Sequence, residues 1–363
     1  MHQDKFSRYT FYLLLTAALL WFLVWAKSLL VPMVFGVFTA FLMLPVCQKM
    51  EKKGLSKTLS ALVAITVIGT ALAGLLWFLS IQFISFREEL PLLTEKLNQR
   101  FFEIQAFVSS NFGVSEKDQL VWIEKQLLSL ISSSGDIAGS VFSATGSFLV
   151  NATLVPIYAF FFIYYRGKVK YFMNMVTPKE KQQTAGEILK TTSEISYKYL
   201  LGLIADIAIL SVLNSIGFLA LGINHAIFLG ITAALLNVIP YVGVLIGSII
   251  PVALALITKD SIWIAVGALA VCVVVQFLDN NFITPLVIGA AVSVNPLATT
   301  IALILGGMMW GLAGMMLFIP LVGVLKVIFD RVENLKPLGY LIGEQDIPGA
   351  VISRRKNRKK QAS

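Results

Sequence analysis

The sequence predicts an all-α integral membrane protein of about eight transmembrane helices, some broken or re-entrant, with an external helical insert. Three observations carry this expectation. Of 363 residues, 57% are hydrophobic and only 13% are charged. A soluble domain carries about 25% charged residues, and only lipid can cover so much apolar surface. Apolar runs long enough to cross a bilayer core, which takes roughly 20 helical residues, recur along the chain. Lys and Arg gather in particular connections, as the positive-inside rule requires. The same composition excludes a disordered chain, a disulfide-stapled secreted fold and a nucleic-acid-binding domain. Cys47 and Cys272 form no CxxC pair, and the histidines are His2 and His225 only, so neither a metal site nor a cofactor is expected.

The apolar runs lie near 10–26, 29–46, 59–85, 141–165, 199–221, 227–257, 261–278 and 297–328. The first is read as a span and not a cleaved leader. It ends in bulky Trp21 and Trp25, lacks a small-x-small cleavage site, and is followed almost at once by the next run. The connection 47–58 holds Lys49, Lys52, Lys53 and Lys57 against Glu51. The connection 166–198 and the tail (Arg354, Arg355, Lys356, Arg358, Lys359, Lys360) are also basic. The segment 86–140 is acidic, with Glu88, Glu89, Glu95, Glu103, Glu116, Asp118, Glu124 and Asp136 against Arg87, Lys96, Arg100, Lys117 and Lys125. Both termini are therefore expected in the cytoplasm and 86–140 outside. The net charge of +9 then reflects topology and contact with anionic membrane lipids, not nucleic acid.

Two runs are too long for one straight crossing. At about 1.5 Å per residue, 227–257 and 297–328 would reach roughly 46 and 48 Å. Both contain breakers: Pro240, Gly243, Gly247 and Pro251 in one, and Gly306, Gly307, Gly311, Gly314 and Pro320 in the other. Each is either a broken span or a re-entrant hairpin. Gly307 and Gly311 also read as a small-xxx-small packing face.

In the insert, Leu90, Leu93, Leu97, Phe101, Ile104 and Val108 form one apolar stripe at helical spacing. Ser115 and Asp118 suggest a cap for a second helix. Thr177, Pro178 and Glu180 read as a capping box opening a helix over 178–198 that runs on into the next span. The expected organisation is 1–85 as the first three membrane helices, 86–140 as the external insert, and 141–198 as the fourth span with a cytoplasmic helix. Residues 199–336 follow as a transport core and 337–363 as a basic cytoplasmic tail.

A carboxylate or free backbone group at membrane depth is costly, about 2.5–3.5 kcal/mol for a mid-span Asp, so the few polar residues there are informative. Asp206 lies seven residues into the fifth span, with Asn214 close to the same face. Gln276, Asp279, Asn280 and Asn281 cluster at the end of the seventh span, Asn237 precedes Pro240, and Asn295 precedes Pro296. Secondary transporters bind ions and solutes where helices break beside such groups, because protein or a water-filled cavity must satisfy the freed backbone. The candidate ion or solute ligands are therefore Asp279, Asn280, Asn281, Asp206, Asn237, Gln276 and Asn295. The candidate helix breaks are Pro240, Tyr241, Gly243, Pro285, Pro296, Gly306, Gly307 and Gly311. A loose Asn–Pro–Gly–Pro cadence shared by 237–251 and 281–296 hints at an internal repeat.

The stretches NVIPYVGVLIGSIIP (237–251), QFLDNNFITPLVIG (276–289) and VNPLATTIALILGGMMWGLAGMMLFIPL (294–321), together with the order of spans and insert, resemble the autoinducer-2 exporter (AI-2E) family, the PerM-type permeases. The resemblance implies an eight-span protein of bacterial or archaeal plasma membranes. It implies either export of a furanone signal or Na⁺(Li⁺)/H⁺ antiport. Pro240, Tyr241 and Gly243 match the family's Pro-Tyr-Val-Gly motif, and Asp279, Asn280 and Pro285 match Asp-Asn-x-x-x-x-Pro. Val244 departs from the second proline common in the family.

No GxxxxGK[ST] loop is present, so a carrier would draw on an ion or solute gradient and not on a nucleotide. The rival readings are a passive channel, a membrane scaffold, and an intramembrane aspartyl protease. The protease lacks its Tyr-Asp and Gly-x-Gly-Asp motifs, since Asp206 follows Ala205 and Asp279 follows Leu278. The expected partners are a small-molecule or ion substrate, membrane lipids and, through glycine-rich faces, further copies of the chain.

Overall fold

The computed structural model describes residues 2–112, 153–240, 242–259, 261–288 and 293–344. The second insert helix expected near Ser115, the helix-break candidate Tyr241 and the basic tail after 344 lie outside these residues. Helices dominate: α1 (His2–Trp25), α2 (Lys27–Lys52), α3 (Lys57–Phe112), α4 (Thr153–Tyr164), α5 (Arg166–Val176), α6 (Gln182–Ala220), α7 (Ala226–Asn237), α8 (Val242–Thr258), α9 (Ile262–Leu278), α10 (Thr284–Val287), α11 (Pro296–Arg331) and α12 (Lys336–Ile342). Among the described residues, five helical stretches are long and apolar enough to cross a membrane, and α7 and α8 are shorter apolar helices. The protein is thus an all-α, multi-pass membrane protein.

The expected capping box at Thr177 does not form. A short helix not foreseen from the sequence, α5, ends at Val176, and Thr177 closes it by donating its backbone N–H to the Met173 carbonyl. Pro178 is extended and opens a 3₁₀ turn, Lys179–Lys181, before α6 begins at Gln182. The Gln182 amide ties the corner by donating to the Asn174 carbonyl at 2.8 Å. From there α6 continues unbroken through Ala220, as expected for a helix running into a span. It stops where Gly222 takes φ +65°, with Ile223 N–H bonding Phe218 O and Gly222 N–H bonding Leu219 O. This paired closure needs a left-handed residue, which glycine supplies without steric cost.

The chain forms two compact units. One consists of Met43–Tyr164 and Ile204–Thr284. Its centre is a helical hairpin, α7 and α8, packed on α9. Gly243 lies against Leu236, and Gly247 against Ala233, so the two limbs run antiparallel from a turn at Val238–Pro240. A methyl group at Gly243 would overlap the Leu236 carbonyl oxygen. The run 227–257 therefore folds back on itself as a hairpin. Phe218, Ala226, Leu229, Leu254, Ala255, Ala265 and Ala268 are buried together. α9 buries its small side (Ala265, Ala268, Cys272, Val275) and turns Val266, Leu269, Val273 and Phe277 outward. That arrangement, bulky apolar outside and small inside, suits lipid as the solvent, where close backbone approach drives packing.

The other unit consists of Met1–Leu42, Tyr165–Leu203 and Pro285–Ser363. Within it, α11 reverses at Gly311, whose φ 62°, ψ −142° is non-helical. Gly306 then meets Gly314, and the Trp310 and Phe318 rings stack edge to face at 5.4 Å. In a continuous helix, residues eight apart stand about 12 Å apart along the axis, so 296–310 and 312–331 are the limbs of a second hairpin. Gly311 makes the turn; it is not part of the packing face expected with Gly307, which instead meets Met315 across the turn. Trp310 Nε1 donates to the Leu23 carbonyl at 3.0 Å, holding the turn to α1.

Candidate functional site: a buried acid pair beside the first hairpin

α6 presents Asp206, Leu210, Asn214 and Phe218 to the interior at intervals of four residues. The facing side of α9 ends in a π-helical turn, Asp279–Ile283, in which the Thr284 N–H reaches back to the Asp279 carbonyl. The widened turn has a direct consequence. In an α-helix, residues five apart lie on different faces, whereas a π turn brings them onto one. The Thr284 hydroxyl accordingly donates to Asp279 Oδ1 at 2.7 Å. Asn237, the last residue of α7, donates to Asp279 Oδ2 at 2.9 Å, and Gln276 donates to the same oxygen at 3.2 Å.

Asp279 is 3% exposed and Asp206 5%. The two carboxyl groups face one another. Oδ1 of Asp206 is buried without a hydrogen-bond partner. The pair thus contrasts sharply: three neutral donors converge on Asp279, and none reaches that oxygen of Asp206.

Next to the pair lies a cavity of about 20 Å³, lined by Leu210, Asn214, Asn237, Ser248, Cys272 and Gln276 among others. That is room for a water-sized group. No charged residue lines it. Asn237 and Gln276 belong to both places: each touches the Asp279 carboxylate and forms part of the cavity wall.

Four of the expected ligands, Asp206, Asp279, Asn237 and Gln276, therefore come together. Three do not. Asn280 is exposed and accepts a hydrogen bond from Gln276 at 3.1 Å. Asn281 is exposed and donates to the Phe277 carbonyl at 2.8 Å. Asn295 belongs to the other unit. There it caps α11 through Ala298 N–H at 2.8 Å and donates to the carbonyls of Leu341 and Gly343 at 2.7 and 3.1 Å. It clips the start of the second hairpin to α12.

The expected breaks also divide. Pro240 and Gly243 make the first hairpin turn, and Gly311 makes the second. Gly306 and Gly307 sit on a limb. Pro285 follows the π turn inside α10, and Pro296 starts α11, where a missing N–H costs nothing. The Asn–Pro cadence marks a hairpin turn in one copy and a π turn in the other, so its two halves are not structurally equivalent.

Thr284 was not legible as a ligand. Its distance of five residues from Asp279 is out of helical register, and only the π turn corrects it. Ser248 and Cys272 carried no signal in apolar runs.

A family model described as "AI-2E family transporter" matches residues 10–334. Three relatives each carry the name "Putative transport protein". YrrI of Bacillus subtilis (strain 168) is 27% identical, over 88% of this chain and 91% of its own length. YueF of the same organism is 28% identical over 86% and 87%. YhhT of Escherichia coli (strain K12) is 22% identical over 91% of both.

Proposed function

Given that the chain belongs to the AI-2E family of transporters, we propose that it is a secondary carrier that moves a small polar solute across a bacterial plasma membrane, driven by an ion gradient. The single observation behind this is the acid pair: two buried carboxyl groups among lipid-facing helices, beside a neutral polar cavity and a hairpin turn. The desolvation that makes an intramembrane Asp expensive is a cost a fold keeps only for use. Lowering the charge of the pair reduces that cost and lets the site close, which is how a carboxylate can couple an ion to a conformational step.

Asn237 and Gln276 join the two events. A solute that takes hydrogen bonds from these amides draws them from Asp279, which links solute binding to the charge state of the pair. The cavity is lined by amides, a hydroxyl, a thiol and aliphatic groups, hydrogen-bonding chemistry without charge; at its water-sized volume it must widen to admit a solute. Residues 199–336 form the transport core in this reading, and the basic connections keep both termini in the cytoplasm. The reading is not enzymatic.

Asp279→Asn should insert and fold yet lose transport. The assay is flux of a hydroxylated furanone and other small polar solutes into proteoliposomes, with and without ion gradients. Flux by the variant equal to the unaltered protein removes the assignment. Flux that neither saturates nor responds to a gradient would replace the carrier with a passive channel, and no flux of any solute would leave a scaffold.

A further inference from the structure

The hydrogen-bond pattern around the acid pair says which ion the site accepts. What faces Asp279 is a shell of donors: the Asn237 amide, the Gln276 amide and the Thr284 hydroxyl. A metal-ion site is built the other way, from converging oxygen lone pairs. N–H groups aimed at the carboxylate oppose a metal cation and stabilise a bare anion. Asp279 is therefore already solvated as a carboxylate and asks for no cation.

Asp206 is different. Its Oδ1 is buried and unpartnered, and its carboxyl faces Asp279. Two ionised carboxylates held together in an apolar interior repel strongly, and one shared proton removes the repulsion. Ionisable neighbours are few. α7 and α8 carry none, α9 carries Cys272 and the π turn carries Asp279 itself. The charged group that acts on Asp206 is Asp279, a like charge.

We infer that the coupling ion is a proton, carried on Asp206 and donated as a hydrogen bond to Asp279, which stays a fixed anion. The inference rests on the carrier reading and adds to it the identity of the ion and the residue that carries it. Loaded, the site has one negative charge dispersed over four hydrogen bonds. When the Asp206 O–H gives its proton to water, two carboxylates are left face to face, and their repulsion drives α6 and the π turn apart.

The test is infrared spectroscopy of the full-length protein in an ester-free detergent at neutral pH, which needs no solute. Expected is a carboxylic-acid C=O band in the unaltered protein, absent in Asp206→Asn, and unchanged when sodium replaces potassium. A band absent from the unaltered protein, abolished by sodium, or kept in Asp206→Asn overturns the inference. The unaltered protein's response to sodium decides the matter even where a variant fails to fold. In proteoliposomes, Asp206→Asn should lose the several-fold acceleration of solute flux by an imposed pH gradient. Retained acceleration in that variant defeats the inference and leaves the carrier reading standing. Absence of solute flux in the unaltered protein defeats the carrier reading, while the infrared result still reports the proton.

Discussion

Asp279 accepts from a backbone-distant amide, a neighbouring amide and a hydroxyl brought into register by one π turn. Hydrogen bonds to a charged group contribute about 1.5–3 kcal/mol each. Thr284→Val keeps the shape of the side chain and removes one donor. It should slow transport roughly tenfold or more, since about 1.4 kcal/mol is a factor of ten, with little change in folded yield. Solute flux per reconstituted protein measures this. Asn280→Ala and Asn281→Ala should change flux less than twofold, because both side chains are exposed and bond to their own helix. The sequence placed all three amides and the acid of this stretch (Gln276, Asn280, Asn281 and Asp279) together as candidates. Only helix geometry separates them, since neighbours in sequence point a third of a turn apart.

At the scale of elements, the two hairpin turns use glycine for different reasons. Gly243 has an ordinary backbone but no room: an added methyl would overlap the Leu236 carbonyl. Gly311 has open space around it but φ +62°. Gly311→Ala is therefore a backbone effect, costing about 1–3 kcal/mol, and the loss should be nearly the same for Ala, Ser or Val. Gly243→Ala should cost more than this, and the loss should grow with side-chain size as the limbs are wedged apart. Thermal unfolding in detergent across both series separates the two mechanisms. The clip at the base of the second hairpin gives a third outcome. Asn295→Ala removes the bonds to Leu341 and Gly343, so amide exchange in 336–342 should accelerate at least tenfold while α7 and α8 are unaffected.

For the whole molecule, charge and hydrophobic length together set the path of the chain. The basic connections around Gly54 and Lys179 should lie on one face, with both termini. Single cysteines placed at Gly54 and Lys179, in a background lacking Cys47 and Cys272, should react with an impermeant thiol reagent only in inverted vesicles. Labelling from the outside of intact cells would reverse the topology.

The sequence by itself determined that this chain lives in lipid, that it is all helix, and that two apolar runs are too long to be single straight spans. It also marked the few polar residues whose burial needs a reason. These follow from composition and from lengths measured against a bilayer, which are properties of single segments. Whether each long run bends or folds back on itself, and which of seven candidate ligands share a site, were decided only in three dimensions. The limbs of a hairpin close on contacts such as Gly243 with Leu236 and Gly306 with Gly314, and a π turn rotates Thr284 under Asp279. Each depends on where a second segment lies, and no periodicity along one segment encodes that.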